Sequence, residues 1–159
     1  MRNAFTLIEL IIVIVLLGIL SAVAMPKYFD LTTDAHKASA KGAQSALSVG
    51  IDLMHSKYLI SKDKQGIDTW ASDYPAPAAA ADCASLWTAA MSSNVTAPEE
   101  VPVDGKVPES PKDFYYAFDT DTCTFYYTGT LAVGDTIADA TFSLTYKDGG
   151  KVNFVDTTE

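Results

Sequence analysis

The stretch Phe5–Pro26, FTLIELIIVIVLLGILSAVAMP, decides the architecture of this chain. From Phe5 to Met25 its polar residues are Thr6, Glu9 and Ser21, and Glu9 is the only charge. As a helix, these twenty-one residues at about 1.5 Å each reach roughly 31 Å, enough to cross the hydrocarbon core of a bilayer. Glu9 is out of place in a plain span, because a carboxylate inside an apolar run is expensive in lipid and asks for a partner. Arg2 lies seven residues upstream, about two helical turns away, and stays with the headgroups. The natural partner is a positive group on another molecule, such as a free α-amino terminus in a neighbouring copy. That arrangement requires cleavage just before Phe5.

The string MRNA followed by FTLIEL, with Phe5, Thr6, Leu7, Glu9 and Leu10, resembles the processing site of type IV pilins and pseudopilins. Within that family it is similar in style to the mannose-sensitive haemagglutinin type. The resemblance implies a leader of residues 1–4, cleaved between Ala4 and Phe5 by a prepilin peptidase that also methylates Phe5. It implies that Glu9 is the assembly carboxylate, neutralising the amine of Phe5 on an adjacent subunit. Gly18 and Pro26 stand where family members have the Gly and Pro bounding a stretch that can lose helix in filaments. Ala4 stands where the family nearly always has Gly.

An ordinary secretory signal is the competing reading. Ala22-Val23-Ala24 is an A-x-A pattern after an apolar run with Arg2 upstream, and cleavage after Ala24 releases a soluble exported binding module. Against it, the run is long for a signal core and contains Glu9.

At 159 residues, with the first fifty or so in one helix, the chain has room for one further globular domain. The segments expected are the leader 1–4, the hydrophobic membrane and assembly helix 5–26, an amphipathic helix 27–60 and a head 61–159. From Ile60 onward, 6 Lys face 16 Asp or Glu, a net charge of −10. Such a surface repels phosphate backbones and disfavours direct nucleic-acid binding by this subunit. Cys83 and Cys123 are an even pair in a chain that reads as exported, so a disulfide is the expected state. Closing a loop of that size contributes roughly 4 kcal/mol in the chain-entropy model.

After Pro26 the pattern turns amphipathic. Tyr28, Leu31, Ala35, Ala38, Gly42, Ala46, Val49 and Leu53 recur at steps of three and four, which predicts one apolar face. Its small residues suit close approach of a flat sheet. Pro26 predicts a kink, and the helix is expected to end between Tyr58 and Ser61. Residues 61–77 read as a connecting loop with Trp70 and Tyr74 packed on the body. Asp82 reads as N-cap of a short helix, Cys83–Met91. Residues 97–111, with Pro98, Pro102, Pro108 and Pro111 among three Glu, read as an extended acidic surface loop.

Four strands follow: Phe114–Phe118, Thr124–Thr128, Thr141–Tyr146 and Lys151–Val155, the last two joined by Asp148-Gly149-Gly150. The fold expected is therefore α+β and type IV pilin-like, a long N-terminal helix on a roughly four-stranded antiparallel sheet.

Catalytic patterns are missing from the string. His36 and His55 sit nineteen residues apart on one helix and cannot share a metal, and no nucleophile elbow or phosphate-cradling loop occurs. Asp119 and Asp121 alternate as calcium ligands do, but neither the glycine nor the distal Glu of an EF-hand loop follows. No enzyme, metal or cofactor is expected. The reading that results is a structural pilus subunit supporting functions such as adhesion or motility. Its partners are copies of itself, the prepilin peptidase, the membrane before assembly and an inner-membrane assembly platform. The precursor belongs in the inner membrane and the product on the cell surface. A pseudopilin of a type II secretion system is the alternative within the family.

Overall fold

The computed structural model describes residues 6–91 and 95–158, the side chains of 24–30 excepted. Helix α1 spans Leu7–Ser61, ending where the sequence places its end. The chain forms two compact units, Met1–Ala35 and His36–Glu159. Pro26 and Tyr28 fall among the side chains outside the described residues, as does the kink expected at Pro26.

In the second unit α1 buries a different face from the one expected. Ala38, Gly42, Ala46, Val49 and Leu53 are exposed there, as are Leu31 and Ala35 of the first unit. The buried line is Ala40, Leu47, Gly50, Ile51 and Met54, with His36, Ala43 and Tyr58 half-buried along it. Both lines repeat at three and four, so period alone cannot rank them. Area can: the buried line carries Leu, Ile and Met, whereas four of the seven exposed positions are Ala or Gly, and burial stabilises in proportion to apolar surface removed from water.

Strands β1 (Trp70–Ala71) and β2 (Tyr74–Pro75) make a small antiparallel ribbon inside the segment expected to be loop. Trp70 stacks on Tyr58 at 4.2 Å and Tyr74 on His55 at 4.1 Å, so both rings pack on the body as expected. Helix α2 spans Ala80–Ala90, three residues earlier than expected, because the alanines before Asp82 are good helix formers. Ala79 takes the N-cap position, and the Asp82 carboxylate caps from inside the first turn, accepting from the backbone N–H groups of Ala78 (2.8 Å) and Ala79 (3.0 Å).

The expected antiparallel meander is present as β4 (Phe114–Asp119), β5 (Thr122–Tyr127), β6 (Phe142–Tyr146) and β7 (Val152–Asp156). A fifth strand, β3 (Glu99–Glu100), pairs parallel with Tyr115 and Tyr116, so the sheet is mixed, in the order β3-β4-β5-β6-β7. Alternation sends Cys123, Phe125 and Tyr127 of β5, and Phe142, Leu144 and Tyr146 of β6, into one core with α1 and α2. Trp87 of α2 lies between Phe114 and Phe125, at ring distances of 4.9 and 5.0 Å. Cys83 and Cys123, both fully buried, are joined in a disulfide that ties α2 to β5. Tyr146 donates to the Pro75 carbonyl at 2.6 Å, satisfying a buried hydroxyl and pinning the ribbon to the sheet.

The 97–111 segment does more than skirt the surface. Val107 is buried with Tyr115 and Ile137 in a second small core, flanked by Val101, Tyr126 and Leu131, on the other side of β4 and β5. Reciprocal backbone bonds hold it: Val107 donates to Asp135, Gly134 to Val107 and Ile137 to Gly105. Of the three valines in this proline-rich, acidic string, Val101 and Val107 pack into that core. They matter because Tyr115 and Tyr126 need a cover on their side of the sheet.

Gly50 marks the closest approach of the two helices: a Cβ there would collide with the backbone of Ala90. Gly50→Ala is expected to lower stability by about 1–3 kcal/mol through overpacking, more than alanine's helix propensity returns. Thermal unfolding checks this, with Gly42→Ala as the control, since open space surrounds Gly42. An unchanged or raised Tm for Gly50→Ala would show that the helices separate at no cost.

Candidate assembly interface

From Thr6 to Val23 every residue is exposed. The thirteen large apolar side chains between Leu7 and Val23 range from 45 % to 75 % exposed, on all sides of the helix. A helix that is apolar all round belongs inside something, a bilayer or other protein. Among the described residues no helix is long and apolar enough to cross a membrane. The expected span 5–25 runs past both ends of the described apolar side chains.

Glu9 finds partners inside its own chain. Its Oε2 accepts from the Thr6 backbone N–H at 2.9 Å and from the Thr6 hydroxyl at 2.8 Å, while Glu9 N–H points back at Thr6 Oγ1 at 3.4 Å. This is a capping box, with Thr6 at the N-cap and Glu9 three residues on, where the helix dipole also favours negative charge. Thr6 thus serves the carboxylate with hydrogen bonds, while among the described residues no ion pair to Glu9 neutralises its charge. The signal was legible, since Thr-x-x-Glu before an apolar run is the sequence pattern of that cap. Deeper in the run, Ser21 donates to the Leu17 carbonyl at 2.7 Å, so its hydroxyl needs no outside partner. A Cβ on Gly18 would meet nothing.

Ala4 and Phe5 lie outside the described residues. Cys83 and Cys123 belong to the head and the fold's bracing. Asp119 and Asp121 bound the β4–β5 turn. Asp121 already has a cation, Lys147 at 2.6 Å, which with the Thr122 hydroxyl holds its carboxyl below the ordinary range. Among the described residues no group of three or more potential ligands could hold a metal. The histidines serve packing: His36 Nδ1 lies 2.9 Å from the Tyr127 hydroxyl, and His55 Nδ1 lies 2.8 Å from the Asp73 carbonyl.

One ion pair locks α1 to the sheet edge. Lys37 Nζ lies 2.5 Å from Asp156 Oδ2, and the Asp156 side chain is only 9 % exposed. The Lys37 bond foremost, then the Thr158 hydroxyl and N–H, hold the Asp156 carboxyl down to about 2. A folded-state value below the unfolded one stabilises above the unfolded pKa of about 3.9, and that stability is lost as pH falls toward the folded value. Asp156→Asn is therefore expected to flatten the loss of head Tm between about pH 4 and about pH 2, besides lowering Tm at neutral pH. A melting series across that range reads both; an unchanged acid slope would show that the pair contributes nothing.

With this geometry in place, comparison with known proteins is informative. A family model for the prokaryotic N-terminal methylation motif matches residues 1–25. The chain is 36 % identical over 92 residues to the type IV narrow pilus major component PilA5 of Thermus thermophilus, covering 57 % of this chain and 73 % of that relative. The chain belongs to the type IV pilin family. This pilin is also 39 % identical over 77 residues to the type IV major pilin protein PilE1 of Neisseria gonorrhoeae, 46 % of each chain. A fimbrial protein of Pseudomonas aeruginosa is 37 % identical over 62 residues, 38 % of this pilin and 40 % of the relative. No solved structure gives a significant match. The long helix and mixed sheet agree with the α+β pilin fold expected from the opening string.

Proposed function

We propose that this pilin is a structural, non-catalytic subunit of a type IV pilus, polymerised through its N-terminal helix and supporting surface functions such as adhesion or motility. The observation that carries the reading is a helix exposed and apolar on every side, with one carboxylate at its start, inside a methylation motif. A prepilin peptidase cuts between Ala4 and Phe5 and methylates Phe5. The precursor waits in the inner membrane, and an assembly platform then moves it into the filament. There Glu9 meets the Phe5 amine of a neighbour and exchanges its bonds to Thr6 for a full charge pair. The acidic, disulfide-braced head faces solvent.

Intact mass with N-terminal sequencing of protein sheared from cells tests the whole reading. The expected species begins at N-methyl-Phe5 and is two hydrogens lighter than its reduced form. A chain beginning at Met25 overturns the reading in favour of a soluble exported module. Processed protein kept in the membrane and missing from the sheared fraction moves the assignment to a pseudopilin.

Two substitutions separate the partners of Glu9. Glu9→Ala is expected to abolish most filament yield while leaving head stability within about 0.5 kcal/mol. Thr6→Val removes the cap and keeps the charge, so it is expected to assemble far better than Glu9→Ala. Equal defects in sheared yield would mean that helix capping, and not pairing between subunits, is what Glu9 supplies.

A further inference from the structure

The sheet of the head has β3 at one edge and β7 at the other. Beside β7, and running against its direction, stand three polar side chains of α1. Gln44 donates to the Val152 carbonyl at 2.9 Å, Lys41 Nζ lies 5.5 Å from the centre of the Phe154 ring, and Lys37 holds Asp156. A cleft of about 360 Å³ opens along this edge, lined by Lys37, Lys41, Phe154, Val155 and Asp156. The Thr157 N–H donates to the Thr141 carbonyl at 3.0 Å. Alternation from that bond turns the backbone groups of Phe154 and Asp156, like those of Val152, away from β6.

At the opposite edge, β3 presents Glu99 and Glu100, both exposed. The Val101 N–H donates to the Tyr116 carbonyl at 2.9 Å, which leaves the N–H and C=O of Glu100 pointing outward. The strand registers align Glu100, Tyr116, Phe125, Leu144 and Phe154 in one row across the sheet. Residues of such a row share a face, here the one on which Lys41 covers Phe154. The two ends of the row are therefore a carboxylate at one edge and a lysine beside a ring at the other.

Resting on the pilus reading above, we infer that the β7 edge of one copy receives the β3 edge of a second copy, Glu100 opposite Phe154, so that the sheet continues from head to head. Strand direction permits it. β3 runs parallel to β4 and each later neighbour runs antiparallel, so β3 and β7 point opposite ways within one chain. Two copies with their helices aligned the same way thus meet antiparallel, and the outward groups of Glu100 and Phe154 exchange both backbone bonds. Charge selects this occupant. The Glu100 carboxylate arrives beside Lys41, which among the described residues is in no ion pair of its own. A device meant only to keep edges apart would set like charges on both. Net repulsion between acidic heads opposes the approach, so the local pairing of opposite charges fixes where it can occur. Pro98 and Pro102 confine it to three residues of β3, a short contact that adds to association and does not replace it. β7 against β7 is the rival arrangement, an isologous pair that closes and stops, whereas β7 against β3 is heterologous and propagates.

The test co-expresses two full-length variants, one carrying Glu99→Cys and the other Val155→Cys. With Glu100 opposite Phe154, these exposed positions face each other as a pair without backbone bonds, at a Cα separation of about 4.5 Å that a disulfide can span. Sheared filaments are oxidised, and the linked peptides are identified by mass spectrometry. The native cysteines are already paired and buried. The expected result is a disulfide between positions 99 and 155, appearing only when both variants are present. Filaments at normal yield that link two copies of position 155, or that show no link between 99 and 155, overturn the edge pairing and leave the pilus reading standing. A parent chain that forms no filaments overturns both. Lys41→Glu and Glu100→Lys, added singly, are each expected to lower the link by about threefold or more, and together to restore it with the signs reversed. Single variants that link as fully as the parent overturn the register of Glu100 on Phe154.

Discussion

A helix with apolar surface on more sides than one chain can cover is the constraint from which the rest of this structure follows. Within the head, α1 commits Leu47, Ile51 and Met54 to the sheet and α2, and that choice leaves Val49 and Leu53 facing water. Toward the N-terminus no division exists, because every side is apolar. Folding the monomer therefore leaves a large hydrophobic term unsatisfied, one that a bilayer or other protein can satisfy.

The head's construction suits that demand. Its inner core is closed by a buried disulfide between α2 and β5, and its other face by the small Val107, Tyr115 and Ile137 cluster. A balance of 16 acidic residues against 6 lysines from Ile60 onward gives this part of the chain a net negative charge, which favours solubility. On the proposed reading the separation of roles is physical: most association is left to uncharged surfaces, where heads of like charge would otherwise repel.

Much of this was legible in the sequence because the signals were local. The opening run, the end of α1 at Ser61, the aromatic strands with their Gly-Gly turn, and a disulfide between the two cysteines all follow from pattern or count. The buried face of α1 was not legible, because two stripes share the same period and the sequence does not print the side-chain area each presents to a partner. The parallel strand Glu99–Glu100 was not legible either. Two glutamates have poor strand propensity, and what pairs them is the neighbouring edge of β4, where the Val101 N–H reaches the Tyr116 carbonyl at 2.9 Å. Thr6 is a different case: Thr-x-x-Glu ahead of an apolar run is itself the sequence pattern of the cap.

That cap bears on the energetics of the proposed assembly. On the proposed reading, an unpaired carboxylate in the apolar run would be costly at every step before the filament forms. Two bonds from Thr6 lower that cost without cancelling the charge, so the precursor is tolerable and still gains by meeting an amine. The strength of the subunit pair is then a difference between two partners for one carboxylate. On the same reading, a subunit that left the filament would return Glu9 to its hydrogen bonds with Thr6. Replacing a partner in this way, at a position fixed by the first turn of a helix, lets one residue serve both the stored and the assembled state.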